Sequence, residues 1–389
     1  MGETVFLAKQ RTIDEPKADH RIQWLKWMLC AAIVSQIAVT PRLWETTRTF
    51  PTVPALTFLP ELPQTACLAL TVAFVLSVFA FATLARSKWP GWTALGLGCT
   101  LVLFDINRLQ PWFYQYLLML WALSRGEKKS SESALPICGF IVASIYVWSG
   151  IHKLNLMFAT EALPFLLRPL GQGVVSLAHP AWFLVPVTES AIGFLLLIGP
   201  MRKVGLTLAV SMHVLLLYLL GPLGLNYNSS IWPWNFWMIA FCLVLFWKPS
   251  PSLLKPVIQD HLGKAIFLLC GVLPALHFFG LWDTYLSASL YSEKAREGWI
   301  YLTETGYAHL PSDYKVNAIR SAPGQYRIGI LEWGSRQLNV PPYPEARVFR
   351  AIAERLIQEG VPAGDITMLV RNLPTLSETE RTFSNEPIR

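Results

Sequence analysis

The stretch Ile145-Tyr146-Val147-Trp148-Ser149-Gly150-Ile151-His152-Lys153-Leu154 closes a long apolar run with a basic pair. A lysine in that position is either an anchor or a reagent. As an anchor, its four-carbon stem snorkels along lipid until the ammonium reaches the head groups. As a reagent, a half-buried ammonium shifted toward neutrality becomes a proton acceptor. Two further ionisable residues stand inside apolar runs, where charge is costly, Glu189 in the next long run and His213 in the one after. Counted from the outer ends of their runs at 1.5 Å per residue, both lie about 10 to 12 Å below the surface, so they are placed to hydrogen bond to each other. Asp105, Asn107 and Arg108 follow the third run, with Asp105 and Arg108 spaced to neutralise each other. Tyr114, Tyr146, His152, Trp234 and Asn235 complete the polar and aromatic residues at the same ends. Together these residues outline a half-membrane pocket, polar at its mouth and aromatic in its walls. Tryptophan and tyrosine belts at membrane interfaces explain the aromatics equally well.

The elements that must position these residues follow from composition. Only 15% of residues are charged and 53% are hydrophobic, with 16 tryptophans, which describes a polytopic membrane protein. We expect an all-α polytopic membrane bundle of about nine transmembrane helices, using runs near the required length of about 20 residues. The runs are 24–40, 66–85, 91–105, 111–124, 136–153, 182–199, 203–221, 231–247 and 265–282. Residues 91–124 read as two short spans, or as one broken re-entrant unit. The first run follows a polar stretch and lacks a small-residue cleavage site, so it reads as a retained span.

Basic residues orient the bundle. With the N-terminus inside, fourteen Lys and Arg fall in inner segments and five in outer loops. That asymmetry puts residues 1–23 in the cytoplasm and the C-terminal region outside, in a multi-pass arrangement expected for a bacterial inner membrane. The net charge of +7 is carried by these loops, and no nucleic-acid motif accompanies it. All six cysteines lie in apolar runs, so neither disulfides nor a metal site are expected. The inner loop 124–134 reads as a solvated linker. The outer loop 155–180, apolar at Leu163 to Leu167, reads as a cover over a site or as a packed connection.

After the bundle (24–283), residues 284–376 read as a small α+β extracytoplasmic domain, followed by a flexible tail at 377–389. Strands are expected at Trp299–Thr303, Tyr326–Trp333 and Ile366–Val370, and a helix over Pro344–Gln358. A domain this small buries little by itself and is expected to dock on the bundle.

The spacing Tyr146-x3-Gly150-x2-Lys153-Leu154 resembles the signature of the vitamin K-dependent gamma-carboxylase family and its bacterial relatives. These share a horizontally transferred transmembrane (HTTM) domain and fall within the broader DoxX-like membrane proteins. Asp105-x-Asn107, Glu189 and His213 follow the same order, and the resemblance spans roughly residues 20 to 300. It implies that Lys153 is the base that deprotonates a reduced quinone of the vitamin K hydroquinone kind. It departs from the pattern in three places. Residues 105–151 hold no histidine, His152 replaces a second lysine, and about one hundred residues stand where the family has a large lumenal domain. Carboxylation of protein glutamates therefore lies outside what the resemblance carries over.

Two functions from different classes follow. One is a carboxylase-like or quinone-dependent enzyme using Lys153 at the outer leaflet. The other is a non-catalytic scaffold or assembly factor akin to DoxX-like and MauE-like proteins, with an extracytoplasmic protein partner on its outer domain. A transporter would want broken helices at midplane and internal symmetry, and neither is visible.

Overall fold

The computed structural model describes residues 20–84, 87–125, 133–248, 253–373, 382–386 and 388. The N-terminal segment before residue 20 and most of the 124–134 linker lie outside them. Among the described residues, every expected span is helical. These helices are α1 (His20–Val39), α2 (Gln64–Thr83), α3 (Trp89–Phe104), α4 (Pro111–Leu123), α5 (Leu135–His152), α6 (Leu184–Leu197), α7 (Arg202–Leu220), α8 (Ile231–Phe246) and α9 (His261–Phe279).

Five of them are long and apolar enough to cross a membrane: α1, α2, α5, the unit Gly199–Leu220 containing α7, and α9. A sixth is reached if Gln172–Ala181 and Leu184–Leu197, bent by 69° at their junction, count as one broken span. Helices α3 and α8, with 16 residues, and α4, with 13, reach only about 20 to 24 Å at 1.5 Å per residue. They are short against a hydrocarbon core of about 30 Å, so length and composition support five to six crossings where nine were expected. The architecture is compatible with a multi-pass membrane protein.

Burial follows helical periodicity. On α2, Cys67, Thr71, Phe74, Val78 and Phe81 face inward, while Leu68, Val72, Leu76 and Phe79 lie exposed as the apolar band that lipid would cover. Helix α9 changes character along its length, from an α-helical start through a π turn (Phe267–Val272) to a 3-10 end (Leu273–Phe279). Pro274 supplies the physical reason for the break, since it has no N–H for the i→i−4 ladder.

The C-terminal region folds as an antiparallel sheet of order β2-β3-β1-β4-β5. Its strands are β1 (Gly298–Thr303), β2 (Ala318–Ala322), β3 (Gln325–Gly329), β4 (Ile366–Arg371) and β5 (Phe383–Glu386). Ile300, Leu302, Ile328, Met368 and Val370 are buried, as are Trp333 of helix α10 (Ile330–Leu338) and Val348, Ile352 and Leu356 of helix α11 (Ala346–Gln358).

Two expectations are corrected. The run Tyr326–Trp333 is strand only to Gly329, and Ile330 starts a helix whose Ile330, Trp333 and Leu338 turn inward together. The expected tail instead contributes β5, with Leu369 opposite Asn385 and Arg371 opposite Phe383.

The domain docks on the bundle as expected. Asn107 Oδ1 accepts the Tyr343 N–H at 3.0 Å, and Gln110 donates to the Pro341 carbonyl at 3.0 Å. Asn339 donates to the Val39 carbonyl at 2.6 Å, and the Phe50 and Trp333 rings meet edge to face at 5.1 Å.

Candidate functional site

Helix α5 carries Tyr146, Ser149 and Lys153 on one face, because residues three, four and seven apart share a side of a helix. That face meets α6 at unusually close range. A Cβ on Gly150 would lie 2.2 Å from Ser190 Oγ and 2.5 Å from the Pro186 carbonyl. One on Gly193 would lie 2.6 Å from the Ala143 carbonyl. Only glycine permits this approach, and it brings Glu189 of α6 to the end of α5.

Lys153 points inward and is 6% exposed. Its Nζ donates to Glu189 Oε2 at 2.7 Å, to Glu189 Oε1 at 2.9 Å and to Ser149 Oγ at 2.7 Å. The expected Glu189–His213 hydrogen bond is not formed. His213 instead has Tyr146 Oη 2.6 Å from Nε2 and Asn235 Oδ1 2.7 Å from Nδ1. The tautomer follows from the partners. Asn235 donates its Nδ2 to the Ile231 carbonyl at 2.8 Å, so its Oδ1 is an acceptor and His213 Nδ1 must carry the proton. Nε2 of the neutral ring then accepts from the Tyr146 hydroxyl. Cys242 Sγ, 3.2 Å from the same hydroxyl, completes the chain.

Both clusters line one cavity of about 190 Å³ between α5, α6, α7 and α8. Lys153, Glu189, Ser149, Tyr146, His213 and Asn235 supply its polar wall, and the rest is largely aliphatic. Phe158, Leu163, Leu166 and Leu167 of the 155–180 loop line it as well, a contact that a cover and a packed connection would both make. Trp234 lines this cavity and two others, its indole N–H donating to Gln115 Oε1 at 2.9 Å. The segment after α9 adds Leu290 and Tyr291. It holds Ala288, Tyr291 and Glu293 at φ of 52°, 49° and 57°, a left-handed conformation that costs side-chain-bearing residues energy and persists only where packing enforces it.

Five expected pocket residues lie elsewhere. The Asp105 carboxylate pairs with Arg48, not Arg108, and accepts from Asn107 Nδ2 at 2.9 Å and the Val53 N–H at 3.3 Å. Arg108 is fully buried, donating to the carbonyls of Leu43 at 3.1 Å and Leu101 at 2.9 Å and to Cys67 Sγ at 3.0 Å. With Asn107 bound to Tyr343, these three residues fasten the 43–53 segment and the C-terminal domain to the turn after α3. Tyr114 lines a separate cavity of about 30 Å³ beside Ser144 and Cys270. His152 is wholly buried among Trp148, His277 and Phe278, with ring centroids 5.7, 5.1 and 4.8 Å away.

Sequence reasoning missed Ser149, Cys242, Met212, Met238 and the 288–293 segment. Ser149 had a usable signal, since it stands four residues before Lys153 on the same face. Among the described residues, no group of three His, Cys, Asp or Glu side chains comes together to hold a metal. The chain matches no family model, no curated protein and no solved structure.

Proposed function

We propose that this chain is a multi-pass membrane protein whose cavity takes a lipid-borne ring bearing an ionisable hydroxyl, of the reduced-quinone class, with Lys153 handling its proton. The observation that carries this reading is the inward turn of Lys153 onto Glu189 and Ser149 at the polar wall of an otherwise aliphatic cavity. A cavity of 150 Å³ is known to hold a benzene ring, so about 190 Å³ has room for one six-membered headgroup. A reduced quinone would supply an acidic hydroxyl and, once deprotonated, electrons for further chemistry.

The residues support proton transfer as follows. Lys153 Nζ lies 2.9 and 2.7 Å from the two Glu189 oxygens, so a proton has a direct hydrogen-bonded path between them. Glu189 can take a proton from the ammonium, and the free amine can then take one from a ligand hydroxyl. The net result moves one proton from ligand to Glu189 and leaves Lys153 charged beside the new anion. The Tyr146–His213–Asn235 chain offers a second polar edge, with the His213 Nε2 lone pair held ready behind the Tyr146 hydroxyl. We place the N-terminus inside and the C-terminal domain outside, in the inner membrane of a bacterium.

The ammonium is fully engaged, which also favours a static clamp between α5 and α6 in a DoxX-like or MauE-like scaffold. One substitution separates the readings. Lys153→Arg keeps a cation for Glu189, but a guanidinium stays protonated and cannot accept a proton. The enzyme reading expects quinone in an organic extract of the detergent-purified protein, detected by mass spectrometry, and loss of quinol turnover in Lys153→Arg with folding intact. Full turnover in the Arg variant would remove Lys153 as the base, and absence of any retained quinone would favour the scaffold.

A further inference from the structure

The connection between α5 and α6 carries an apolar surface that the fold leaves uncovered. Residues 169–188 contain no Asp, Glu, Lys or Arg, and His179 is their one ionisable side chain. In the short helix Gln172–Ala178, Val175 alone is buried. Leu177 is 78% exposed, and Leu170, Val174, Phe183 and Leu184 are exposed around it. Leu163 and Leu166, by contrast, pack inward against Leu220 and Ile231. A helix this short draws its stability from packing, and the protein packs almost nothing against this one.

Backbone and length identify what covers it. From Phe158 to Leu197 the chain passes through a π turn, α-helical turns and 3-10 turns, so most of its N–H groups bond within their own turns. A backbone satisfied in this way is the condition for lying in hydrocarbon. Helix α6 has 14 residues and reaches about 21 Å, about 9 Å short of a hydrocarbon core of about 30 Å. With its Leu197 end at one boundary, its Leu184 end lies inside the core. The unit Gln172–Ala181 is bent 69° from α6, so it runs close to the membrane plane when α6 stands along the normal. Asn155 donates to the Ser292 carbonyl at 2.9 Å, which puts this end of the bundle on the side of the C-terminal domain. The bare surface leads on to exposed Val187 and Phe194 of α6 and Val204, Leu208 and Val214 of α7. Arg168, exposed at the border of the charge-free stretch, has a stem long enough to carry its guanidinium up to a head-group phosphate.

We propose that residues 169–183 lie flat inside the monolayer on the side of the C-terminal domain, with lipid acyl chains as the partner of Leu170, Val174, Leu177 and Phe183. The proposal rests on the multi-pass membrane reading and is independent of the chemistry assigned to Lys153. The stretch Phe158 to Leu167, which lines the cavity between α5, α6, α7 and α8, runs directly into this segment. One wall of the cavity is thereby seated in that monolayer.

The test uses the full chain in phosphatidylcholine vesicles, with single cysteines carrying a fluorophore in a Cys99→Ala background, since the other five cysteines are buried. Leu177→Cys and Val174→Cys report on the segment, Leu76→Cys on the exposed band of α2 and Ser321→Cys on exposed β2. The quenchers are a nitroxide fixed midway along the lipid acyl chain and aqueous iodide. The Leu177 and Val174 probes should lose emission to the nitroxide, as the Leu76 probe does, and keep it in iodide, with the reverse at Ser321. Quenching of both segment probes by iodide, with Leu76 quenched by the nitroxide, would put the segment in water and overturn the proposal. Protection from both quenchers would overturn it in favour of a second copy or another protein covering the helix. Quenching of the Leu76 probe by iodide alone would instead remove the membrane reading itself, so the two failures are told apart.

Discussion

Removing the Glu189 carboxylate is the most informative single perturbation of the cavity between α5, α6, α7 and α8. Lys153 is 6% exposed and makes four contacts, two to Glu189 at 2.7 and 2.9 Å and two to Ser149, at 2.7 Å to Oγ and 3.4 Å to the carbonyl. Glu189→Ala leaves the ammonium with Ser149 alone, and breaking one side of a buried ion pair typically costs about 3 to 5 kcal/mol. Glu189→Gln retains one oxygen acceptor of the right reach but no charge. It exchanges a charge-assisted hydrogen bond for a neutral one and should cost about 1 to 2 kcal/mol. The double variant Lys153→Met/Glu189→Leu removes both charges and replaces them with apolar groups of similar bulk, so it should lie within about 2 kcal/mol of the parent. With Lys153→Met and Glu189→Leu as the single variants, each expected to cost about 3 to 5 kcal/mol, the cycle predicts a coupling energy of about 4 kcal/mol or more. Reversible unfolding in mixed micelles, followed by tryptophan fluorescence as SDS is titrated, gives all four free energies. Single losses below about 1 kcal/mol, or a double variant additive within about 0.5 kcal/mol, would show that the pair is not buried and coupled as described.

Four further predictions address other parts of the molecule. Asp105→Ala leaves Arg48, whose side chain is wholly buried, without its carboxylate, and should destabilise the protein by about 3 to 5 kcal/mol in the same unfolding assay. An Arg108→Lys variant should also lose stability, because an ammonium cannot reach Leu43, Leu101 and Cys67 in the geometry the guanidinium uses. Burial holds Lys294 down from the ordinary 10.5 to about 8, with its ammonium 4.2 Å from the Phe278 ring centre. Between about pH 8 and 10.5 the unfolded chain keeps a proton that the folded chain has released, so stability should rise with pH across that window. Below it the folded state bears the full penalty of the buried charge, and Lys294→Met should flatten the pH profile. The orientation is tested by Ser321→Cys on exposed β2, which should gain labelling by an impermeant thiol reagent in intact cells over the parent protein. Labelling only after lysis would place the C-terminal domain inside.

What the sequence determined by itself is the set of helices and the polar residues they carry. Continuous apolar runs specify helices wherever backbone groups must be satisfied without water, so all nine runs could be read, as could α11, β1 and β4. The grouping of Tyr146 and Lys153 was equally legible, because spacing within one helix sets which residues share a face. Position along a helix axis, however, is only half of what a contact needs. Glu189 and His213 do stand along the same cavity, but partner choice depends on rotation about each axis and on the distance between axes. Gly150 and Gly193 set both for α5 and α6 by letting the backbones close up, which gives Glu189 to Lys153 and leaves His213 to Tyr146 and Asn235.

Asp105 shows the same limit over a longer range. Helical spacing points it to Arg108, but the chain leaves the helix at Asp105, so the three-residue rule no longer holds and Arg48, 57 positions earlier, takes the carboxylate. Strand β5 lies beyond a stretch of polar residues, and only the open edge of β4 turns so short and polar a segment into a strand. Tertiary structure decided these points because each rests on a meeting of surfaces that no local pattern encodes.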